Sequence, residues 1–273
     1  MDGQFANLTV LGSGSSGNTT VLSFGALTRK CLLIDAGLSP LAVRKRMAEA
    51  CIPGLVVGAI LLTHLDTDHW QRGWARQLER NPVPVVVRSG HRAKALEAGV
   101  PASCLRVVAD TFQLGTLASV TAIEVPHDER GSTAYVVESV AGRVGYATDL
   151  GECPRAMLDA FTDLDVLGLE ANYDPAMQRA SPRPVFLKER IMGPSGHLSN
   201  EQCADAVAEI SIRSHLQRLL LLHLSRDCNT PALAAGAIAR RCGELADRTI
   251  VALRNEPTAS VSFARAACPL AAA

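Results

Sequence analysis

Ile60-Leu61-Leu62-Thr63-His64-Leu65-Asp66-Thr67-Asp68-His69 is the stretch on which the reading of this chain turns. A short apolar run of strand length ends in four potential metal ligands within six positions. Strand ends present loop residues beside a rigid sheet, where a site is easily held. In extended backbone His64 and Asp66 project to the same side. Asp68 and His69 follow as the chain turns toward the next helix. One loop can therefore serve two metal ions, His64 and Asp66 for one, Asp68 and His69 for the other. The bland alternative is a solvated polar turn. Against it, two of the chain's seven histidines sit in this one loop.

Outward from the loop, residues 8–11, 19–24 and 31–34 are short, apolar and partly β-branched, which predicts strands. Ser39 and Pro40 suit the cap and first turn of a basic-faced helix over 41–50. Residues 59–62 form a buried strand. Trp70, Trp74 and Leu78 recur every four residues and predict a helix across that stretch, with the aromatics in the core. A strand over 83–87 and a helix over 93–98 follow. Strands are expected at 111–114, 120–125, 133–137, 144–147 and 166–169, with a helix over 154–161. Ser199 and Gln202 match a capping box that opens a helix to about Ile210. A strand at 219–222, a helix from Thr230-Pro231 to Cys242 and closing strands at 250–253 and 261–263 complete the chain. No linker, low-complexity segment or short repeat interrupts it. The order strands, helices, strands, helices suits an α/β, four-layer αββα sandwich in one domain spanning residues 1–273.

Gly12, Gly14 and Gly17 match the spacing of a dinucleotide-binding turn, and Asp35 follows 18 residues after the last glycine. That motif requires a helix straight after the glycines. Here the β-prone run from Thr19 to Phe24 follows instead. A tight hairpin is the better reading. Its amides, Ser15 or Asn18 could face an anionic substrate.

Lys and Arg total 27 against 27 Asp and Glu, so net charge neither requires nor excludes a polyanion. No apolar run approaches the ~20 residues of a membrane span, and the N-terminus lacks a signal-peptide pattern. A cytoplasmic protein is expected. Eight cysteines, none in C-x-x-C spacing, read as free core thiols in a reducing compartment. His91 and His215 read as surface residues. Lys188 and Arg190 could meet a phosphate, but a solvated helix face is the commoner reading for such charges.

The loop His64-Leu65-Asp66-Thr67-Asp68-His69 resembles the H-x-H-x-D-H signature of the metallo-β-lactamase superfamily, with Asp66 in place of the second histidine. Further matches follow along the chain. Asp35 in LLIDAG resembles the aspartate that buttresses the loop. His127 in VPHDE and His223 in LLHLSRD resemble further metal ligands. Asp149 in YATDLG resembles the bridging carboxylate. The opening LGSGSSGNTT, with LLIDAGLS, LEANYD, LKERI, GHLSN and HLSRDCNTP, is similar to the YycJ/WalJ group of that superfamily. Tyr173 stands where that group implies histidine. Only 21 residues separate His127 from Asp149, which leaves no room there for a long exosite arm or a β-CASP insert.

The resemblance implies a ligand set of His64, Asp66, Asp68, His69, His127, Asp149 and His223. It implies two divalent ions (manganese, iron or zinc) that activate a water. Asp68 would orient the water, and His197 would protonate the leaving oxygen. Helix-start hydrogen bonding is the plainer role for His197. Glu170 and Asn172 would touch substrate or tie down their loop. Asp66 adds a negative charge and a hard oxygen, which predicts a less electrophilic centre tilted from zinc toward manganese or iron. The expected activity is a metal-dependent phosphodiesterase or nuclease, with DNA as a candidate substrate. A small-molecule phosphodiester, thioester or lactone hydrolase is one alternative. A weakly catalytic, metal-bound scaffold is the other.

Overall fold

The computed structural model describes residues 5–25 and 28–265. Among the described residues fourteen strands make two seven-stranded sheets. The first holds β1 (Ala6–Gly12), β2 (Thr19–Ser23), β3 (Lys30–Ile34), β4 (Val56–Leu61), β5 (Val85–Arg88) and β6 (Leu105–Val108), with β14 (Val261–Phe263) on the outer side of β1. The second runs from β7 (Thr111–Leu114) through β8 (Ala118–Val125), β9 (Ser132–Ser139), β10 (Gly142–Ala147), β11 (Val166–Glu170) and β12 (Arg218–Leu222) to β13 (Thr249–Val251).

Side-chain alternation along the strands divides the apolar residues among three layers. Leu32 and Ile34 of β3 face the space between the sheets with Leu220 and Leu222 of β12. Cys31 and Leu33 face outward, onto α1 (Pro40–Glu49), α2 (Gly73–Arg80) and α3 (Arg92–Glu97). Leu219 and Leu221 face α7 (Asn200–Ser211), α8 (Pro231–Arg241) and α4 (Arg155–Ala160). The expected αββα sandwich is thus formed. Strands covered on both faces read as unbroken apolar runs, as residues 219–222 do. Each fully buried leucine contributes roughly 1.5–3 kcal/mol.

Caps set the helix starts. Ser199 Oγ accepts from Gln202 N at 3.2 Å while Gln202 Oε1 accepts from Ser199 N at 2.9 Å. Thr230 Oγ1 accepts from Leu233 N at 3.2 Å. Asp174 caps α5 (Pro175–Ala180), and α6 (Val185–Met192) follows it.

Three expectations change. The helix expected to include Trp70 begins only at Gly73, because Trp70 is engaged in an extended bridge with Ala36. His91 is buried, at 4% exposure, whereas His215 is exposed as expected. Cys51 is an exposed free thiol; Cys31, Cys104, Cys203, Cys228 and Cys242 are buried, and Cys268 lies outside the described residues. The glycine loop joins β1 to antiparallel β2, so no helix follows it. Among the described residues, no helix is long and apolar enough to cross a membrane.

Parallel register decides where the chemistry gathers. β3 and β4 end together (Ile34 beside Leu61), as do β10 and β11 (Ala147 beside Leu169), and β11 and β12 (Glu170 beside Leu222). Asp35, His64, Asp149 and His223 each lie just past one of these ends, and Glu170 is the last residue of β11.

Candidate metal centre

Four imidazoles and two carboxylates converge at these strand ends. His69 Nε2 lies 2.9 Å from Asp149 Oδ2, and His127 Nε2 lies 4.0 Å from Asp149 Oδ1. His223 Nε2 lies 3.5 Å from Asp68 Oδ2. Their donor atoms fall into two groups compact enough for a cation each: His64, His127 and Asp149, and Asp68, His69 and His223.

Each imidazole is held by its other nitrogen. His69 Nδ1 meets Asp35 at 2.8 Å, and His64 Nδ1 meets Thr63 Oγ1 at 3.1 Å. His127 Nδ1 donates to the Gly196 carbonyl at 2.9 Å, and His223 Nδ1 meets Glu170 Oε1 at 3.0 Å. A carbonyl or carboxylate on Nδ1 fixes the proton there and leaves the Nε2 lone pair for a cation. The donor set therefore fits two divalent ions.

Buried Asp35 also accepts from Thr63 N at 2.8 Å, which ties β3 to the ligand loop. Asp35, Asp149 and His223 have φ values of 60°, 55° and 54°, a left-handed conformation uncommon outside glycine but better tolerated by Asp and His than by most residues. All three stand at the strand ends where the centre gathers.

A family profile described as the beta-lactamase superfamily domain matches residues 30–224. The chain belongs to that superfamily. It is 28% identical over 238 residues to an exodeoxyribonuclease YycJ of Bacillus anthracis, covering 86% of this chain and 88% of that protein. It is 29% identical over 237 residues to an exodeoxyribonuclease WalJ of Streptococcus pneumoniae, covering 83% and 84%. The crystal structure of the metallo-beta-lactamase fold protein YhfI from Bacillus subtilis superposes with a TM-score of 0.68 at 14% identity, covering 94% of this chain and 100% of that one.

The superfamily loop has one unusual member here. Asp66 is half exposed; its Oδ1 sits 2.6 Å from Lys94 Nζ, and its Oδ2 is 3.8 Å from His64 Nε2. Its donor atoms group with His127 and Asp128 rather than with His64 and Asp149. Lys94 also balances the negative charge that Asp66 adds.

His197 and Glu170 form the other flank. Glu170 is fully buried, and its Oε1 receives His197 Nδ1 at 2.8 Å as well as His223 Nδ1. Its Oε2 accepts the Leu150 and Leu198 amides at 3.1 and 3.2 Å. This carboxylate, left undecided between two roles in the sequence, is the hub of the flank. The only local signal was an acidic residue closing an apolar strand. Asn172 is buried and donates to the His223 carbonyl at 2.9 Å. Asn18 is buried and bonds the Gly14 amide at 2.7 Å and His69 Nε2 at 2.9 Å. Neither lines the cavities over the centre: Asn172 lies behind His223, whereas the Asn18 amide meets the His69 donor nitrogen itself. Ser15 does line one. Tyr173 is buried and lines neither.

Burial drives imidazoles toward neutrality. His64, buried beside His69, lies well below its usual value. For His69 the carboxylates of Asp35 and Asp149 outweigh burial and hold it well above. Asp149, Asp68 and Glu170 push His223 up to about 10 against the same burial. Asp149, despite burial, is held well below the carboxylate range by His223 and His69. Cations entering such a cluster displace those protons.

Two cavities open on the centre. One of about 250 Å³ is lined by Asp68, Asp149, His197 and His223, with Leu187, Arg190 and Ile191 of α6 above them. A wider one of about 900 Å³ runs past His64 and His127 to His91 and Lys94.

Proposed function

We propose that this protein is a two-metal phosphodiesterase that hydrolyses DNA. The observation that carries the reading is the paired donor groups, His64–His127–Asp149 and Asp68–His69–His223, beside a cavity that His197 also lines. The similarity over most of the chain to two exodeoxyribonucleases supports DNA as the substrate. Two divalent cations, manganese, iron or zinc, held by these groups would lower the pKa of a shared water and polarise the scissile bond.

The chain's own residues supply the remainder. Asp68 is only partly buried and faces the cavity, where it orients the attacking water. Glu170 holds His197 by Nδ1, so the ring's other nitrogen is left for the leaving oxygen and can deliver a proton there. Asp35 and Asn18 keep His69 and the Asp68 loop in place. Asp66 and Lys94 form the rim on the side of the wider cavity.

The test is metal content with turnover. Protein purified without chelator should carry two divalent ions per chain by elemental analysis. It should cleave bis(p-nitrophenyl) phosphate with added manganese, and a 3′- or 5′-labelled DNA strand after that. One ion or none, with no diester cleavage after metal loading, would sink the reading in favour of a metal-bound scaffold. Cleavage of small diesters without DNA cleavage would move the substrate to the small-molecule class.

A further inference from the structure

The turn that joins β1 to β2 stands beside the metal centre and is fixed there by its own hydrogen bonds. Ser13 Oγ accepts from His223 N at 2.7 Å, and Asn18 Oδ1 accepts from Gly14 N at 2.7 Å. Gly17 N donates to the Gly14 carbonyl at 3.0 Å and closes the turn. Ser15 and Ser16 form its exposed tip. Among the described residues neither of their backbone amides has a hydrogen-bond partner. Ser15 lines the narrower cavity together with Asp68, His197 and His223.

Arg254 lies behind the tip. Its Nη1 donates to Ser15 Oγ at 3.2 Å, and a hydroxyl that accepts in this way keeps its own proton to donate elsewhere. Among the described residues no carboxylate oxygen comes within 4 Å of the Arg254 guanidinium, and its buried Nη2 has no hydrogen-bond partner. Arg46 also lacks a counter-charge at that range; its Nη1 donates to the Leu11 and Arg254 carbonyls at 2.8 and 3.1 Å. By contrast, every carboxylate lining the narrower cavity is engaged. Asp68 and Asp149 belong to the donor groups, Asp66 meets Lys94, and Asp128 meets Arg190. Two unpaired guanidiniums behind a turn with free amides and a free hydroxyl proton favour an anion at the tip. The phosphate to be cut belongs at the donor groups, so the anion at the turn is a different one.

We propose that the Gly14–Gly17 turn is a second phosphate site, in which Ser15 Oγ and the Ser15 and Ser16 amides hold a phosphate next to the scissile one. Arg254 is a positioning residue that aims the Ser15 hydroxyl. The inference rests on the phosphodiesterase reading and narrows its substrate to a strand carrying several phosphates.

The test compares two substrates of the full-length, manganese-loaded protein. An oligonucleotide offers a neighbouring phosphate; bis(p-nitrophenyl) phosphate has only the one that is cut. Ser15→Ala should raise KM for the oligonucleotide about 10- to 100-fold with little change in kcat, and leave the small diester unaffected. Ser15→Thr, which keeps a hydroxyl, should stay near wild type. Arg254→Gln should shift KM in the same direction as Ser15→Ala, and Arg254→Lys should recover part of the loss. Because Ser15 is exposed, its truncation disturbs no packing, and a matching thermal midpoint checks this. An unchanged oligonucleotide KM in Ser15→Ala overturns the inference. Equal losses on both substrates overturn it too, since they place the effect at the metal centre or in folding. Wild-type turnover tells the two failures apart. If bis(p-nitrophenyl) phosphate is cleaved, only the second phosphate site falls; if neither substrate is cleaved after metal loading, the phosphodiesterase reading falls with it.

Discussion

Asp66 stands where the superfamily signature has histidine, and its partner is Lys94, 28 residues away in sequence. A carboxylate shared between a lysine and the rim of a cation site steers the imidazole beside it. Such supporting contacts typically change metal affinity or activity by about 10–100-fold when removed. Asp66→Ala is therefore expected to weaken the ion at His64 and His127 by about that factor and to leave the one at Asp68, His69 and His223 in place, as read by metal titration. Unchanged stoichiometry and affinity would reduce Asp66 to a surface partner of Lys94. On the opposite flank, His197→Ala should lower kcat on DNA by about 10²–10⁴-fold with metal content intact. Its effect on bis(p-nitrophenyl) phosphate should be much smaller, because p-nitrophenolate leaves without a proton. Equal losses on both substrates would remove His197 from leaving-group chemistry. The ligand loop and both histidines were legible as residue types at a strand end. The Glu170 hub was not, since one acidic residue closing a strand carries no sign of which two imidazoles will meet it.

At the level of elements, the loop depends on close backbone packing. A Cβ on Gly37 would overlap the Asp68 carbonyl and stand 2.7 Å from the Asn18 amide, and neither can yield without moving the loop. Gly37→Ala should cost about 1–3 kcal/mol of stability and reduce bound metal, measured by urea denaturation and elemental analysis. Full metal content in a stable Gly37→Ala protein would show that the loop tolerates displacement. Capped segments and unbroken apolar runs were readable before folding: the Ser199–Gln202 box and the run at 219–222 form as expected. Trp70 misled because its spacing to Trp74 and Leu78 matches a helix, while its backbone is claimed by Ala36 across the sheet. Three short elements went unread, among them α5 despite its Asp174-Pro175 start. β6 has two exposed residues out of four, and α6 buries none, so neither shows the periodicity that burial imposes.

Across the whole molecule, the centre draws donors from strand ends in both sheets and so couples metal to folding. Chelation should lower the thermal midpoint, and metal at a thousandfold above its Kd should add about 4 kcal/mol of stability. Proton release into unbuffered solution should accompany binding. A midpoint that ignores chelator would contradict a preformed buried donor set. The sequence by itself determined the αββα layering and the ligand loop, because alternation, caps and a motif of six residues are local properties. It also marked His127, Asp149 and His223 through their short flanking signatures. Only tertiary structure decided that Lys94 would neutralise Asp66, that Glu170 would hold His197 and His223 together, that Asn172 would lie behind His223 and that the Asn18 amide would meet His69. Those contacts join residues 27 to 53 positions apart. Their partners are chosen by parallel strand register and sheet packing, which no local pattern encodes.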